Sequence, residues 1–506
     1  MKFNLRLKSK ARETVNYEGE KAFVLMPQIE LYTAVATAAL SDQFYEKTDD
    51  RLQRIRMLVE KNEATFVAKL AIYTREQMYL RSIPLVLTVE LTKIHNGDSV
   101  VNKLVNRVIQ RADEITELLA YYAMANERNE VKQLNRLSKQ LQKGLADAFN
   151  KFDEYQFAKY NRDAKVKLKD ALFLVHPKAN DQNQQLLFDK IVNDELQTPY
   201  TWETELSVLG QQKFETIEQK QLAIRAKWEE LIFSNKMGYM ATLRNLRNIL
   251  EAEVSGEALN KVCNYIANAN AVANSKQLPF RFLSAYRELK ELNNGRVSKV
   301  LNALEEAVLH TAANLAGYNG NTKVVIAADV SGSMQKSVSA KSKVLNFDIG
   351  LMLAMLLQNR CEHVITGMFG DKWKVINVPN KNVLANVNEF YRREGEVGYS
   401  TNGYMVIKDL LERKSIVDKV MLFTDCQLWN SNGTGENIAG LWKQYKQLAP
   451  GAKLYLFDLA GYGNTPLNVV RDDVFLIAGW SDKIFNVLQA IENGGNAIKI
   501  IEEISL

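Results

Sequence analysis

A short apolar strand that runs into an Asp-x-Ser-x-Ser loop constrains the fold of this chain more than any other segment. Residues 325–334 read VIAADVSGSM, and a long apolar helix is predicted from about Ser342. This order of strand, polar loop and helix is typical of an open α/β sheet, which places its ligands beyond the carboxyl ends of the strands. Asp329, Ser331 and Ser333 offer one carboxylate and two hydroxyls, hard oxygen ligands that suit Mg²⁺. A loop that only caps the following helix is the alternative interpretation.

Two further loops complete a set of oxygen ligands. Thr401 lies in GYSTNG before a predicted helix and offers a third hydroxyl, with Ser400 as the rival for that place. Asp425 ends the predicted strand VMLFTD and offers a second carboxylate. We expect all three loops at one rim of the sheet, where they bind a divalent cation, with Mg²⁺ as the first choice. No His lies near these loops to act as a base, so we expect ligand binding and no enzymatic activity.

Composition indicates an ordinary globular chain from a reducing compartment. Hydrophobic residues make up 46% and charged residues 25%, enough for sizeable cores. The three cysteines, at 263, 361 and 426, are far apart, which argues against a disulfide framework. The N-terminal residues contain no long apolar stretch, and no run in the chain approaches the length of a membrane span. We therefore expect a cytoplasmic protein without a membrane partner.

Apolar periodicity divides the chain into two domains. Between about residues 28 and 316, apolar positions recur at helical spacing with short joints, which predicts an all-helical repeat domain of the HEAT type over 1–318. After residue 319 apolar strands alternate with helices, which predicts a doubly wound parallel sheet over 319–506. The predicted strands are 324–328, 364–369, 420–424, 454–459 and 474–477, and 373–378 is a candidate antiparallel edge strand.

Basic residues cluster between positions 159 and 178. The net charge of the chain is +6, and this segment holds six Lys or Arg against two Asp. Its candidate phosphate contacts are Lys159, Arg162, Lys165, Lys167, His176 and Lys178. Lys and Arg that neutralise phosphates bind nucleic acid with a strong dependence on salt and little dependence on sequence. A solvated helix face is the alternative interpretation.

The pairing of a helical-repeat domain with DVSGSM resembles the TROVE-domain (Ro-type) family, in which a von Willebrand factor A domain with a metal-ion-dependent adhesion site follows the helices. The resemblance covers nearly the whole chain. Within the helices it rests on residues 80–87, 169–178, 240–246 and 278–282, and in the second domain Thr424-Asp425 and residues 461–463 fit bacterial members. Two departures stand out. The family often has GGTD where this chain has YSTN, and an acidic residue where Gln427 follows Cys426.

The resemblance implies a ribonucleoprotein component built on a closed ring of HEAT-like helices. Such proteins bind small structured non-coding RNAs (Y RNAs) and the single-stranded ends of misfolded RNAs, in RNA quality control. Lys159, Arg162 and His176 match RNA-binding positions of the family, with a one-residue gap at Arg162. Arg81 and Arg244 are candidates for the hole of the ring or its rim, and structural arginines between repeats are the alternative.

The second domain is expected to engage an exoribonuclease or another protein, whose acidic side chain would reach the metal. We expect a monomer. The alternative function is a metal-dependent protein-interaction scaffold with no specific RNA partner, since a helical solenoid and a metal loop also suit protein binding.

Overall fold

The structure is a computed structural model that describes residues 12–38, 46–128, 137–161, 165–338, 342–429, 436–469 and 471–506, except residues 312, 314 and 316. The described residues form two compact units. The helical unit comprises Val59–Ala313 with Ile501–Leu506, and the sheet unit comprises the described parts of Met1–Leu58 and Asn314–Ile500. The change near residue 314 lies close to the predicted boundary at 318/319. The residues before Leu58, which were predicted to belong to the helical domain, group instead with the sheet.

Two short strands and two helices open the described chain: β1 (Glu13–Val15), β2 (Lys21–Val24), α1 (Pro27–Ala36) and α2 (Thr48–Glu60). The two strands pair antiparallel as a hairpin. Its turn is stabilised by Asn16, whose Oδ1 accepts hydrogen bonds from the backbone N–H groups of Glu18 (3.1 Å) and Glu20 (2.9 Å). Gly19 has a φ of +81°, a conformation that glycine adopts without steric cost. Sequence periodicity does not predict this hairpin.

The helical unit consists mainly of short amphipathic helices. Its helices are α3 (Ala64–Glu76), α4 (Ser82–Ile94), α5 (Val100–Val108), α6 (Asp113–Ala125), α7 (Lys139–Phe149), α8 (Glu154–Tyr160), α9 (Leu168–Val175), α10 (Gln182–Val192), α11 (Trp202–Gly210), α12 (Ile217–Phe233), α13 (Tyr239–Arg244), α14 (Leu246–Glu251), α15 (Gly256–Ile266), α16 (Ala269–Ser275), α17 (Phe280–Lys290) and α18 (Val297–Thr311).

The main contacts in this unit join helices that lie at most four places apart in the chain, such as α5 with α7 and α15 with α18. Where α5 and α7 meet, a Cβ on Gly144 would lie 2.6 Å from Val105 Cβ, so the two helices approach closely because that side chain is missing. Packing between near neighbours is the signature of a helical repeat. The prediction of a helical-repeat domain is confirmed, and closure of the helices into a ring stays a prediction.

The sheet unit alternates strands and helices. Its elements are β3 (Tyr318–Asp329), α19 (Asn346–Asn359), β4 (Cys361–Phe369), β5 (Trp373–Val375), α20 (Val383–Arg393), α21 (Tyr404–Glu412), β6 (Lys419–Thr424), α22 (Ile438–Leu448), β7 (Lys453–Asp458), β8 (Asn464–Thr465), β9 (Val474–Ala478), α23 (Ile484–Glu492) and α24 (Ala497–Glu502). The main sheet has the strand order β5-β4-β3-β6-β7-β9. All neighbours are parallel except β5, which runs antiparallel to β4 at the edge. The predicted doubly wound sheet and its antiparallel edge strand are confirmed.

Helices cover both faces of this sheet. On one face α19 packs against β3, β4 and β6, and its Gly350 lies beside Phe423. On the other face α21 and α22 pack on Val325, Val420 and Leu454, within a core that includes the buried Trp442. Both faces of the sheet are apolar because helices cover both. Since successive residues of a strand point to opposite faces, the strands read as continuous hydrophobic runs.

The N-terminal elements belong to the sheet unit because they pair and pack with its last strands. Phe23 of β2 pairs with Thr465 of β8. The hydroxyl of Tyr32 donates to the carbonyl of Ala478 (2.9 Å) and accepts from the N–H of the same residue (3.2 Å). Arg51 is 1% exposed and donates to the Ala460 carbonyl at 2.5 Å. These contacts are the physical reason for the corrected grouping. None of the helices in the described ranges has the length and apolarity of a membrane span.

Candidate metal centre and nucleic-acid interface

All five predicted metal ligands are buried at the carboxyl edge of the sheet. Their exposed fractions lie between 0% and 4%, for Asp329, Ser331, Ser333, Thr401 and Asp425. Asp329 ends β3, and Asp425 directly follows the neighbouring strand β6. The chain leaves β3 toward β4 on one side and returns to β6 on the other, so these two carboxylates stand at the point where the strand order reverses. Such switch points are the usual ligand sites of open α/β sheets.

The first loop is held by hydrogen bonds that the Asp329 carboxylate accepts. Its Oδ1 accepts from the N–H of Ser331 (2.9 Å), and its Oδ2 accepts from the hydroxyl of Thr424 (2.6 Å). The hydroxyl oxygens of Ser331 and Ser333 lie 3.1 Å apart. Burial, together with the charge of Asp425, raises the pKa of Asp329 to about 7. Two hydroxyls and one carboxylate therefore converge, as the Asp-x-Ser-x-Ser pattern predicted.

Asp425 carries a buried oxygen that has no hydrogen-bond partner among the described residues. Its Oδ1 accepts from the N–H of Gln427 (3.0 Å), whereas Oδ2 is the unpartnered atom. Burial raises the pKa of this carboxyl to about 6. Cys426, the next residue, has a φ of +64°, an uncommon conformation for a non-glycine residue. A buried carboxylate oxygen without a donor is costly, and a bound cation would remove that cost. The residues present therefore fit a divalent cation.

The structure separates Thr401 from its rival Ser400. Thr401 is buried, and its Oγ1 accepts from the N–H of Trp429 (3.0 Å), four positions after Asp425. Ser400 is only half-buried, and both its N–H (2.9 Å) and its hydroxyl bond to the carboxylate of Asp371. Those bonds lower the pKa of Asp371. The geometry thus favours Thr401 as the third hydroxyl, and Ser400 serves to hold the loop.

Carboxylates alone do not make this centre. The ranges that the structure describes contain no group of three His, Cys, Asp or Glu side chains able to hold a metal. Two carboxylates and three hydroxyls leave coordination positions for water or an incoming ligand, which is how Mg²⁺ is usually held. The ligand roles of these five residues stay a prediction.

Two of the predicted RNA contacts, Lys159 and Arg244, line one groove of about 210 Å³ in the helical unit. We call it the aromatic–basic groove and define it by Arg111, Tyr155, Lys159, Tyr160, Tyr200, Lys236 and Arg244. Lys159 and Arg244 are exposed, although 85 positions of sequence separate them. Arg162 lies outside the described residues.

Cations and aromatic rings alternate along the aromatic–basic groove. The guanidinium of Arg111 lies 4.3 Å from the centre of the Tyr160 ring. The Lys159 ammonium lies 5.5 Å from the Tyr155 ring and 5.7 Å from the Tyr160 ring. Lys236 lies 4.9 Å from the ring of Tyr200. Positive charge beside exposed ring faces is the combination that single-stranded nucleic acid uses, since phosphates meet cations and bases stack on rings.

The other basic candidates lie on or near helix α9. Lys165 and Lys167 are exposed just before this helix, and His176 and Lys178 are exposed just after it. His176 ends the helix in the left-handed conformation (φ +50°), with its N–H bonded to the Leu172 carbonyl at 2.9 Å. His176 therefore ends α9 through its backbone. Its side chain is exposed, and its role in RNA binding stays a prediction.

Arg81 is engaged with acidic side chains. It bonds to Asp113 (3.1 Å) and Glu114 (3.4 Å), and Glu117 lies 3.7 Å away. Glu114 is fully buried and also binds Arg75 at 2.8 Å. With its charge balanced by carboxylates, Arg81 fits the structural alternative better than a phosphate contact.

Pattern reading missed the remaining members of the groove: Arg111, Tyr155, Tyr160, Tyr200 and Lys236. One signal was available. Tyr155 and Lys159 lie four positions apart on α8, close enough for ring and cation to share a helix face. Arg111, Tyr200 and Lys236 come from other segments of the helical unit, and no local pattern connects them.

The TROVE domain matches residues 12–205 and, in a second match, residues 194–344. Together these matches span well over half of the chain. The chain belongs to the TROVE domain family. TROVE proteins are known for binding RNA and associate with small RNAs.

Similar proteins include much longer chains. Telomerase protein component 1 of Rattus norvegicus is 22% identical in an alignment 340 residues long, which covers 52% of this TROVE chain and 12% of the rat protein. Telomerase protein component 1 of Mus musculus is 22% identical in an alignment 308 residues long, which covers 46% of this chain and 11% of the mouse protein. This chain thus spans only about an eighth of the length of these curated relatives.

A solved structure shares the fold. The crystal structure of the RO protein of Deinococcus radiodurans matches with a TM-score of 0.58 at 18% identity, over 93% of this chain and 100% of that one. At this level of identity the similarity shows that the TROVE chain has the same fold.

Proposed function

We propose that this TROVE protein is an RNA-binding component of a ribonucleoprotein particle. It binds small structured non-coding RNA of the Y-RNA type and the single-stranded ends of misfolded RNA, and it acts in RNA quality control in the cytoplasm. The observation that carries the proposal is the aromatic–basic groove, in which Lys159 and Arg244 lie together with three tyrosine rings. The three buried, unpaired thiols agree with a reducing compartment.

Charge supports an anionic ligand at this groove. Lys159, Lys236, Arg111 and Arg244 contribute four positive charges to its lining, against the single carboxylate of Glu203. Asp113 pairs with Arg111 (2.9 Å), so part of that charge is balanced. Arg244 also lies near a second arginine, Arg281. Burial and the positive charge of Arg244 together lower the pKa of Arg281. Like charges held together favour a phosphate ligand that neutralises both.

The test is salt-dependent binding of a labelled RNA hairpin with a single-stranded 3′ tail, followed by fluorescence anisotropy. We expect the double variant Lys159→Gln/Arg244→Gln to bind more weakly and to lower the slope of log affinity against log salt by about 2, one unit per phosphate contact. The control is Lys190→Gln/Arg247→Gln, which removes two positive charges already paired with Glu154 (2.7 Å) and Glu251 (2.8 Å). Equal affinities for the two variants contradict the proposal.

We propose further that the sheet unit binds a divalent cation, Mg²⁺ by the chemistry of its ligands, and uses it to hold a partner protein by an acidic side chain. An exoribonuclease is one such partner. The buried, unpartnered Oδ2 of Asp425 supports this role. The five oxygen ligands would hold Mg²⁺, which when bound would act as a Lewis acid toward an incoming carboxylate. The proposed activity at this centre is binding, and no catalytic step is assigned to it.

A Mn²⁺ titration tests the metal proposal, because Mn²⁺ reports on a Mg²⁺ site through the relaxation of water protons. We expect Asp425→Asn to abolish binding, and Asp409→Asn, which changes a half-buried carboxylate of α21 paired with Arg413, to leave it unchanged. The same variant separates the second candidate function. If the chain is a protein-interaction scaffold, Asp425→Asn removes the partner and the Lys159→Gln/Arg244→Gln variant has no effect on any RNA.

A further inference from the structure

A small pocket opens beside the aromatic–basic groove, on the other side of the segment that joins α12 to α13. Its volume is about 150 Å³. We call it the Asn235 pocket and define it by six of its lining residues, which are Ile232, Asn235, Met237, Lys261, Val262 and Tyr265. Met237 lines both the pocket and the groove, and Lys236 of the groove follows Asn235 directly in the chain. The pocket is therefore continuous with the proposed RNA interface.

The lining of the Asn235 pocket is largely apolar and leaves room for one ring. Ile232 and Val262 are buried, and Met237 is half-buried. Tyr265 is 37% exposed, and its ring packs edge to face against the ring of Tyr239, with the two centres 5.6 Å apart. An apolar cavity of about 150 Å³ accepts a benzene-sized ring. The pocket thus has the size for a single six-membered ring.

Two polar side chains of the pocket are available to a ligand. Asn235 follows α12 in the left-handed conformation (φ +57°), and its exposed side-chain amide makes no hydrogen bond to the residues that the structure describes. The ammonium of Lys261 lies 5.2 Å from the centre of the Phe233 ring, and no described carboxylate pairs with it. The described lining of the pocket contains no acidic residue at all. The pocket therefore offers an amide and an unbalanced positive charge beside an apolar slot.

We propose that the Asn235 pocket binds one unstacked pyrimidine base of an RNA strand that lies in the aromatic–basic groove. The inference rests on the proposed RNA function and adds a subsite to it. A pyrimidine has a single six-membered ring, whereas the two fused rings of a purine exceed the room of the pocket. The amide of Asn235 offers a donor beside an acceptor and so complements the polar edge of a pyrimidine. Bases that leave the stack of a single strand are recognised by contacts of this kind, and Lys261 neutralises an adjoining phosphate.

The experiment compares two labelled RNA hairpins that differ only in a short single-stranded 3′ tail, made of uridine in one and of adenosine in the other. Binding to the full-length protein is followed by fluorescence anisotropy. We expect the wild-type protein to bind the uridine tail about fivefold more tightly, and Asn235→Gly to lose this preference because the hydrogen bonds of the amide are gone. Glycine adopts the left-handed conformation without steric cost, so the end of α12 is kept. A preference that survives in Asn235→Gly overturns the proposal.

The matched control for this variant is Asn382→Gly. Asn382 is an exposed asparagine of the sheet unit, also in the left-handed conformation (φ +67°), and its side chain makes no capping hydrogen bond. We expect Asn382→Gly to keep the wild-type preference for uridine. An equal loss of preference in both glycine variants contradicts a specific role of Asn235.

Lys261→Gln tests the phosphate contact of the pocket. We expect it to lower the slope of log affinity against log salt by about 1 for the uridine-tailed hairpin, the value for one phosphate contact. The control is Lys408→Gln in the sheet unit, which removes a charge already paired with Glu436 (2.8 Å) and should leave the slope unchanged. An unchanged slope for Lys261→Gln contradicts the contact.

A pyrimidine base also occurs in free nucleotides, so uridine monophosphate is titrated against the bound uridine-tailed hairpin. We expect displacement only at concentrations at least about a hundredfold above the Kd of the hairpin, because the free nucleotide makes none of the groove contacts. Displacement near the Kd of the hairpin assigns the pocket to a free nucleotide and overturns the proposal.

The outcomes also distinguish the pocket from the RNA function on which it rests. Wild-type protein that binds neither hairpin contradicts the RNA function itself. Weakened binding by Lys159→Gln/Arg244→Gln, with wild-type binding of both hairpins by Asn235→Gly and Lys261→Gln, contradicts only the pocket.

Discussion

The hydroxyl of Thr424 donates a 2.6 Å hydrogen bond to Asp329 Oδ2 and so joins the ends of two adjacent parallel strands at the metal edge. Both residues are buried, Thr424 at 0% and Asp329 at 1% exposure. Thr424 is not a predicted ligand, yet it fixes the orientation of one. Groups in this position are expected to influence metal affinity nearly as much as the ligands do.

Thr424→Val removes the donor and keeps the shape of the side chain. We expect the free energy of unfolding to fall by about 1–3 kcal/mol, because Asp329 Oδ2 is left without its buried donor, and the Mn²⁺ affinity to fall about tenfold. Urea denaturation and Mn²⁺ titration measure these changes. Thr424→Ser keeps the hydroxyl and should retain the metal affinity, and a serine variant as weak as the valine one would exclude the hydrogen bond as the cause.

Gly398→Ala should disrupt the second metal loop. Gly398 has a φ of +74°, and a Cβ there would lie 2.1 Å from Asp371 Oδ2, the residue that holds Ser400. Strain of this kind costs about 1–3 kcal/mol, and we expect weaker Mn²⁺ binding because Thr401 moves. The matched control is Gly395→Ala, since a Cβ at Gly395 meets its nearest atom at an ordinary 3.7 Å. Thermal unfolding of both variants is the measurement. A lower melting temperature for Gly398→Ala alone indicates local strain, and equal losses in the two variants contradict it.

Tyr155→Leu tests stacking in the aromatic–basic groove. Tyr155 is 42% exposed, and its ring lies beside Lys159. We expect the variant to lose about 1–3 kcal/mol of affinity for single-stranded RNA, the usual value of one stacked base, with the salt dependence unchanged because no charge is removed. Tyr391→Leu removes a tyrosine of similar exposure (38%) in the sheet unit and serves as the control. A changed salt slope for Tyr155→Leu would speak against stacking.

The carboxylate of Glu492 should make the free energy of unfolding depend on pH. It binds Lys419 at 2.5 Å, and although burial opposes its ionisation, the bonds from Lys419 and Tyr455 lower its pKa. A carboxylate with a lowered folded pKa stabilises the protein above its ordinary pKa, and this contribution is lost as the pH falls through the lowered value. We expect Glu492→Gln to cost about 2 kcal/mol at pH 7 and clearly less at pH 3. Urea denaturation at both pH values measures the difference, and a cost that does not change with pH contradicts the ion pair as its source.

Local patterns predicted the parts of this molecule that depend on neighbours in sequence. The strands β3 and β6 are apolar on both faces, so each is recognisable alone, and their carboxyl ends fall on one rim by the rules of parallel sheets. Asp329, Thr401 and Asp425 could therefore be assigned to one edge before any coordinates. The choice between Thr401 and Ser400 could not, because it depends on hydrogen bonds to Trp429 and Asp371.

Contacts between distant segments were beyond prediction. Nothing near Glu18 indicates that its carboxylate accepts a hydrogen bond from the indole of Trp429, in the loop after Asp425. Arg111, Lys159 and Arg244 meet because successive helices of a repeat stack with a particular rotation, and apolar spacing shows only which face of each helix is buried. Arg81 is a second example. Its partner Asp113 lies 32 positions away in the sequence, so the basic residue alone does not show that its charge is already paired.

The pair of hydrogen bonds between Tyr32 and Ala478 joins residues 446 positions apart, and Val59–Ala313, the main part of the helical unit, is made in between. At a synthesis rate of about 5–20 residues per second, the hairpin and α1 wait roughly 20–90 s for the strands that they cover. During that time α1, six of whose ten residues are buried in the finished protein, has no sheet to pack on. The hairpin and α1 thus fold later than they are made, and we expect the nascent chain to engage chaperones that shield apolar helices.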